Sequence, residues 1–352
     1  MQKVLISLLA AALLLAGAAP FPPEEGAPEP SAKCAVLVGP EGQILYEKDA
    51  ELRCLIASTT KLMTALVTLE HAEGSDRVEI PAACCGVEGS SMYLQAGESY
   101  TVEELLTGLL LASGNDAAVA LALHCAGSEE RFVSWMNEKA AALGMTDTHF
   151  ANPHGLDAGE HYGSAADLAR LMAACMDEPA LREILCRGEA VIHGQYYGNH
   201  NKLLRLCPGC LGGKTGYTKA AGRCLVSCCE RGGLRLICVT LDAPDDWNDH
   251  IALYDWGFSR FVQADVTAAL RYSLPLFGAE QRRIGLRADP LPLFLPKSAE
   301  LQLQTELPPF VLAPVRAGEV CGRVRVFWNG EELGSAALRF AETAAGKTEE
   351  DT

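Results

Sequence analysis

The chain opens its apolar patterning with two short β-type runs, Cys34-Ala-Val-Leu-Val38 and Gln43-Ile-Leu-Tyr-Glu47, divided by Gly39-Pro-Glu-Gly42. Runs of that length around a Gly/Pro turn predict a hairpin. From Thr59 to about Ala174 the pattern becomes helical. Leu62, Met63, Leu66, Val67 and Leu69 mark one segment, Val102 to Leu111 a second and Ala117 to Cys125 a third. Ser128 reads as the N-cap of a further helix that runs to Gly144, where a glycine suits the C-cap.

Strand character returns in Gly222–Cys229 and Leu234–Leu241, joined at Gly232-Gly233 as a second hairpin, and a helix follows through His250 to Phe261. Strands at both ends with helices between predict an α/β (α+β) domain: one antiparallel sheet assembled from the two ends, covered by helices and carrying an all-helical insertion. Beyond Asp265 the pattern is of short Pro-punctuated strands, Leu293–Pro296, Glu319–Cys321 and Arg323–Trp328, with an Asn329-Gly330 turn leading to Leu338. That predicts a small all-β, sandwich-like module.

The first residues place one positive charge, Lys3, before an apolar run from Val4 to Leu15 and the small residues Ala16-Gly17-Ala18-Ala19. These are the parts of a secretory signal. The expected organisation is therefore a signal peptide over 1–19, a Pro/Glu linker over 20–31, the α/β (α+β) domain over 32–264, the β module over 265–341 and a disordered acidic tail over 342–352. No later stretch is apolar for long enough to cross a membrane, and the tail lacks the apolar face of a surface anchor. The protein is thus expected outside the cell or in its wall, with no C-terminal membrane anchor.

Composition narrows the function classes. The 352 residues are 49% hydrophobic and 21% charged, which is globular, and a net charge of -16 argues against nucleic acid and anionic membranes as partners. The 14 cysteines are even in number, as in a disulfide framework, yet Cys228-Cys229 are neighbours that point to opposite faces of a strand. Most of the cysteines read better as small buried apolar residues.

Candidate chemistry begins at Ser58-Thr59-Thr60-Lys61, where the helical pattern starts. Serine and lysine three residues apart share a helix face, and a crowded helix N-terminus disfavours the ammonium, so Lys61 can take the serine proton. Alone, the same residues read as a helix cap followed by a solvated lysine. Two further groups change that. Ser113-Gly114-Asn115 sets a hydroxyl and an amide on a tight loop between two apolar helical runs. Lys214-Thr215-Gly216, with Tyr217-Thr218, precedes a β-type run, where glycine would let a substrate backbone approach as an added edge strand.

These three groups, in this order, resemble the S-x-x-K, S-x-N and K-T-G motifs of the penicillin-interacting serine acyltransferases. The flanking residues are similar to those of the low-molecular-mass penicillin-binding proteins that act as D-alanyl-D-alanine carboxypeptidases. Those residues are Ile56–Leu66, Leu111–Ala117, Asn152-Pro-His-Gly-Leu-Asp157, Lys214–Thr218 and Ala221-Gly222. The resemblance runs from about Ala32 to Phe261 and more loosely to Leu338. It implies a β-lactamase/transpeptidase-like fold in which Ser58 is the acyl nucleophile, Lys61 the base and Ser113 a proton relay. Asn115 would hold the substrate amide and support Lys61. Lys214 and Thr215 would face the terminal carboxylate of a peptidoglycan pentapeptide, and the N–H groups of Ser58 and Tyr217 would receive the oxyanion. β-Lactam antibiotics would trap the ester; no cofactor and no metal is implied.

The resemblance is incomplete at one point. Members often supply an arginine after the K-T-G strands to bind the carboxylate, and Ala243–His250 contains none. Lys214 with Thr215 suffices, or His250 or Arg223 contributes, or the preferred terminus differs. His154 is an accessory candidate or a loop residue bonded to backbone. Cys207-Pro-Gly-Cys210 has metal spacing but lacks a second pair and reads as a turn. Asn199-His200-Asn201 reads as cleft floor. A β-lactamase or endopeptidase on the same scaffold, and a catalytically silent wall-binding relative, are the alternatives. A β-lactamase of the Glu-dependent kind would need S-D-N and E-x-x-L-N, which are absent.

Overall fold

In the computed structural model, residues 26–346 are described. The expected signal peptide, the linker residues 20–25 and the tail residues 347–352 lie outside the described residues. The first hairpin forms from β1 (Cys34–Val38) and β2 (Ile44–Lys48). Two short ribbons follow in the chain, β3 (Arg77–Glu79) with β4 (Ser99–Thr101) and β5 (Glu189–Ile192) with β6 (Gln195–Gly198). The C-terminal half of the sheet comes from β7 (Cys210–Thr218), β8 (Gly222–Arg231) and β9 (Leu234–Leu241). Its order is β2-β1-β9-β8-β7, with β1 and β9 antiparallel through Val36 opposite Val239. The two ends of the domain thus close one antiparallel sheet, and β7 is left as an edge strand.

Both faces of the central strands are covered, which is why they read as continuous apolar runs and not as alternating ones. Cys224, Val226 and Cys228 join the main core on one face. That core also takes residues from helices α1 (Lys61–His71), α2 (Val102–Leu111), α3 (Asn115–Ala126), α4 (Glu129–Ala142), α5 (Ala165–Asp177) and α6 (Pro179–Cys186). On the other face Ser227 and Thr240 hydrogen-bond His250 of α8 (Asp246–Arg260) at 2.7 and 3.0 Å. A one-turn helix, α7 (Leu203–Leu206), lies between β6 and β7 in the chain.

Side-chain caps fix several helix starts. Thr101 and Glu104 form a reciprocal capping box on α2, and Ser128 and Ser164 accept from the backbone of Arg131 and Asp167. Cys210 N–H donates to the Cys207 carbonyl at 3.1 Å, so the Cys207–Cys210 segment is a turn leading into β7. No disulfide joins the 14 cysteines, and Cys34, Cys84, Cys175, Cys224, Cys228 and Cys238 are buried in the apolar interior.

The described chain divides into two compact units. One closes at Glu230 and resumes over Arg235–Asp255; the other comprises Arg231–Leu234 and the residues from Trp256. The division falls before the 264/265 boundary expected from sequence, because β10 (Phe261–Asp265) pairs with β13 (Pro292–Pro296) and not with the central sheet. Past the end of α8 at Arg260, the described part of the second unit is all-β. Its six-stranded sheet adds β11 (Tyr272–Phe277), β12 (Arg283–Ala288), β14 (Gln302–Glu306), β15 (Val311–Leu312), β16 (Val320–Trp328) and β17 (Glu331–Phe340). Asn329 and Gly330 take positive φ at the β16–β17 turn, as two-residue hairpins of this hand require. Residues 342–346 correct the expected tail. Ala344 is buried and exchanges both backbone bonds with Val315 at 3.0 Å, because this small apolar residue completes the core of the second unit.

Candidate active site

Ser58 sits in a single 3-10 turn, Ala57–Thr60, that runs directly into α1. The turn is tied down by its own hydroxyls. Thr59 Oγ1 donates to the Ile56 carbonyl at 2.6 Å and Thr60 Oγ1 to the Ala57 carbonyl at 2.8 Å. His161 adds a brace that no sequence motif announces. Its Nδ1 accepts from Ala151 N–H at 3.0 Å, so the ring proton is on Nε2 and donates to Thr60 Oγ1 at 2.7 Å. Burial holds the His161 pKa down at about 4, so this tautomer persists at neutral pH. Ala57 adopts φ +45°, a left-handed conformation that costs a non-glycine residue about 1–2 kcal/mol and must be imposed by these surroundings.

Lys61 is fully buried, and its Nζ lies 2.9 Å from Ser58 Oγ, 2.7 Å from Asn115 Oδ1 and 2.5 Å from the His154 carbonyl oxygen. Desolvation pushes its pKa well below the ordinary lysine value, Lys214 pushes the same way and Asp116 opposes. A neutral amine has two N–H donors and one lone pair. Asn115 and the His154 carbonyl take the donors, which leaves the lone pair facing the Ser58 hydroxyl. Asn115 is itself fixed, donating from Nδ2 to the Glu88 carbonyl at 2.5 Å.

Two glycines permit this packing. Gly155 has φ +89°, and a Cβ there would stand 2.1 Å from the Ala57 carbonyl oxygen. On β7, a Cβ at Gly216 would stand 3.0 Å from Ser58 N and 3.1 Å from Ile56 O. The space at Gly216 is therefore filled by the nucleophile's own turn, where the sequence suggested room for a substrate backbone.

Ser113 lies on the cavity wall with φ +62°, between α2 and α3. The next acidic residue, Asp116, is an unanticipated organiser. Its carboxylate accepts from the Ser91 hydroxyl at 2.6 Å and from the N–H groups of Met92 and Leu94 at 2.9 and 3.1 Å, anchoring the loop after Ser90 to α3. An acidic residue in the first turn of a helix was the available signal, but its partners lie more than 20 residues upstream in the chain.

On β7, Lys214 and Gly216 are buried while Thr215 is half-buried and Tyr217 exposed, as strand alternation dictates. Lys214 Nζ donates to the Thr215 carbonyl at 2.8 Å, and burial lowers its pKa to about 7. A cavity of about 520 Å³ brings together Ser58, Ser113, Thr215, Gly216 and Tyr217 with Ser90, Asn199, His200, Lys202, Arg205, Arg223, Asp246 and Trp247. Lys61, Asn115 and Lys214 stand behind this wall. Arg223, opposite Tyr217 on β8, is clamped by Asp246 through three contacts of 2.7–3.0 Å and faces the Trp247 ring at 5.4 Å. His250 is not at the cavity; it is fully buried between Ser227 and Thr240, and burial lowers its pKa to about 3. The His154 ring accepts from Leu156 N–H at 3.2 Å and is kept near pKa 4 by burial and by Lys61, so it is its carbonyl that touches the centre.

A buried lysine paired to a serine at the edge of an antiparallel sheet, with an asparagine behind and a K-T-G strand alongside, defines a serine acyltransferase. A family model described as D-alanyl-D-alanine carboxypeptidase matches residues 22–245. The chain is 31% identical over 334 residues to the D-alanyl-D-alanine carboxypeptidase DacF of Bacillus subtilis, covering 88% of this chain and 85% of that one. It is 38% identical to DacB2 of Mycobacterium tuberculosis over 64% of this chain and 81% of the relative. Penicillin binding protein 6B of Escherichia coli superposes with a TM-score of 0.72 at 29% identity, over 90% of this chain and 97% of that one. Penicillin binding protein 5 of Haemophilus influenzae superposes at 0.70, again at 29% identity, over 90% and 98%. The chain belongs to the D-alanyl-D-alanine carboxypeptidase family and is a serine-type hydrolase of that class.

Proposed function

We propose that Ser58 carries the acyl group in removal of the terminal D-alanine from peptidoglycan stem peptides. Lys61 accepts the Ser58 proton as Oγ attacks the carbonyl carbon of the penultimate D-alanine, and the N–H groups of Ser58 and Tyr217 receive the oxyanion. The C–N bond then breaks, with Ser113 passing a proton to the departing amine, and water hydrolyses the ester to free the shortened peptide and Ser58. β-Lactams enter by the same attack and leave a slow ester. The observation that carries this reading is the arrangement around Lys61 Nζ, two acceptors for its N–H groups and Ser58 Oγ at 2.9 Å.

For the terminal carboxylate, Arg223 is favoured over the other candidates. Lys214 spends its head on a backbone carbonyl behind the wall, and His250 is enclosed on the far face of the sheet. Arg223 lines the cavity and still offers N–H donors beyond those held by Asp246. The N-terminal pattern of Lys3, the run Val4–Leu15 and Ala16–Ala19 supports export to the wall compartment where such peptides occur. Among the described residues no helix is long and apolar enough to cross a membrane. Incubation of the purified protein with a pentapeptide ending in D-Ala-D-Ala should release free D-alanine; no release, in a protein that a fluorescent penicillin still labels, would reject the carboxypeptidase assignment.

A further inference from the structure

The chain carries 29 basic against 45 acidic residues, yet the charge lining its active-site cavity has the opposite sign. The charged lining residues are Lys202, Arg205, Arg223 and Asp246, and Asp246 is consumed by Arg223. Lys202 and Arg205 are left over. Neither head group has an ion-pair or hydrogen-bond partner among the described residues. They sit one turn apart at α7, where Arg205 N–H donates to the Lys202 carbonyl at 3.0 Å, so both project from one face. Two like charges on one face repel, and acidic residues are plentiful in this chain.

The backbone that presents them is firmly set. Asn199 Nδ2 donates to the Arg187 carbonyl at 2.9 Å and its Oδ1 accepts from Asn201 N–H at 2.8 Å. Buried Asn201 accepts in turn from Leu203 N–H at 3.1 Å, and His200 N–H donates to the Leu111 carbonyl at 3.2 Å. His200 is pushed toward its neutral form by burial and Lys214 and adds no competing charge. Both side chains are exposed, and unpaired cations on a set backbone in a cleft raise the local concentration of anions and select for them.

We propose that Lys202 and Arg205 form a second anion subsite that selects stem peptides bearing a free carboxylate on a side chain upstream of the scissile D-Ala-D-Ala bond. The ligand is a carboxylate of the diamino-diacid type, and its amide or a plain diamine residue in that place would be disfavoured. The inference rests on the carboxypeptidase reading of the same site and adds a substrate preference to it.

Two pentapeptides that differ only in a side-chain carboxylate at the third residue, free meso-diaminopimelate against its side-chain amide, provide the test. The wild type is expected to show a kcat/KM about 10-fold higher for the free acid, a preference that shrinks as salt is raised. In the K202A/R205A double variant the ratio between the peptides should fall to about 1, and in K202E/R205E it should invert; K202R should retain the preference. Stoichiometric labelling by a fluorescent penicillin reports that each variant is folded. Equal turnover of both peptides by the wild type, or a ratio unmoved in the double variant, would overturn the subsite while leaving the carboxypeptidase reading intact. Failure to release D-alanine from either peptide would remove both.

Discussion

Lys61 Nζ and Ser58 Oγ stand 2.9 Å apart behind a wall that leaves the lysine with no exposure to solvent. That relationship makes the lysine a base whose strength is set by burial. As pH falls through its depressed pKa the amine becomes an ammonium and loses the lone pair that receives the Ser58 proton. Acylation by a penicillin should therefore stay high well below the ordinary lysine value of about 10.4 and decline only on the acid side of the lowered one. Lys61→Met, which preserves bulk, should cut the acylation rate by about 10³-fold or more. A variant within tenfold of the wild type would show that another group takes the proton.

Buried Lys214 makes a linked prediction about stability. Its pKa falls from the ordinary value to about 7 on folding, so between about 7 and 10.5 the unfolded chain binds the extra proton and stability rises with pH. This favourable contribution is complete above the unfolded value and is lost as pH falls through about 7. Lys214→Met removes the titrating group and with it this pH dependence. The Tm of the wild type minus that of the variant should climb from pH 7 to pH 10; a flat or falling difference would contradict the burial of a partly neutral lysine.

Gly155 supports the nucleophile from below. Its φ of +89° and the 2.1 Å approach of a new Cβ to the Ala57 carbonyl predict that Gly155→Ala destabilises the fold by about 2 kcal/mol or more. The same clash presses on the turn that carries Ser58, so penicillin acylation should slow as well. Thermal melts together with acylation rates check both, and a variant that matches the wild type in each would place the loop further from the turn than 2.1 Å implies.

Arg223→Ala is expected to raise KM for a D-Ala-D-Ala peptide by about 10-fold or more, with Arg223→Lys recovering part of the loss, since it restores charge without the two-pronged geometry. His250→Gln should leave KM alone and lower Tm, because His250 works between Ser227 and Thr240 inside the protein. Steady-state kinetics on the pair would reverse the assignment if His250→Gln, and not Arg223→Ala, moved KM.

What could be read from the sequence was local or repeated in pattern. The β1–β2 and β8–β9 hairpins carry their turn residues, α2 coincides with Val102–Leu111, and α4 starts after its cap at Ser128. Ser58, Lys61, Ser113, Asn115 and the Lys214–Tyr217 strand were visible as three polar clusters in apolar surroundings. The rest depends on partners distant in the chain. His161 braces a turn 101 residues away, and Asp116 anchors backbone 22 and 24 residues before it, so neither has a motif of its own. At Gly216, alternation along a strand says which face a residue occupies, but not that the chain's own Ser58 turn packs against that face.

The most direct test of the central claim is the site of covalent attachment. After reaction with benzylpenicillin and proteolysis, mass spectrometry should find one adduct, on the peptide containing Ser58, and Ser58→Ala should carry none while keeping the wild-type melting transition. An adduct on Ser113 or any other residue, or undiminished labelling of a folded Ser58→Ala protein, would contradict the assignment of Ser58 as the nucleophile.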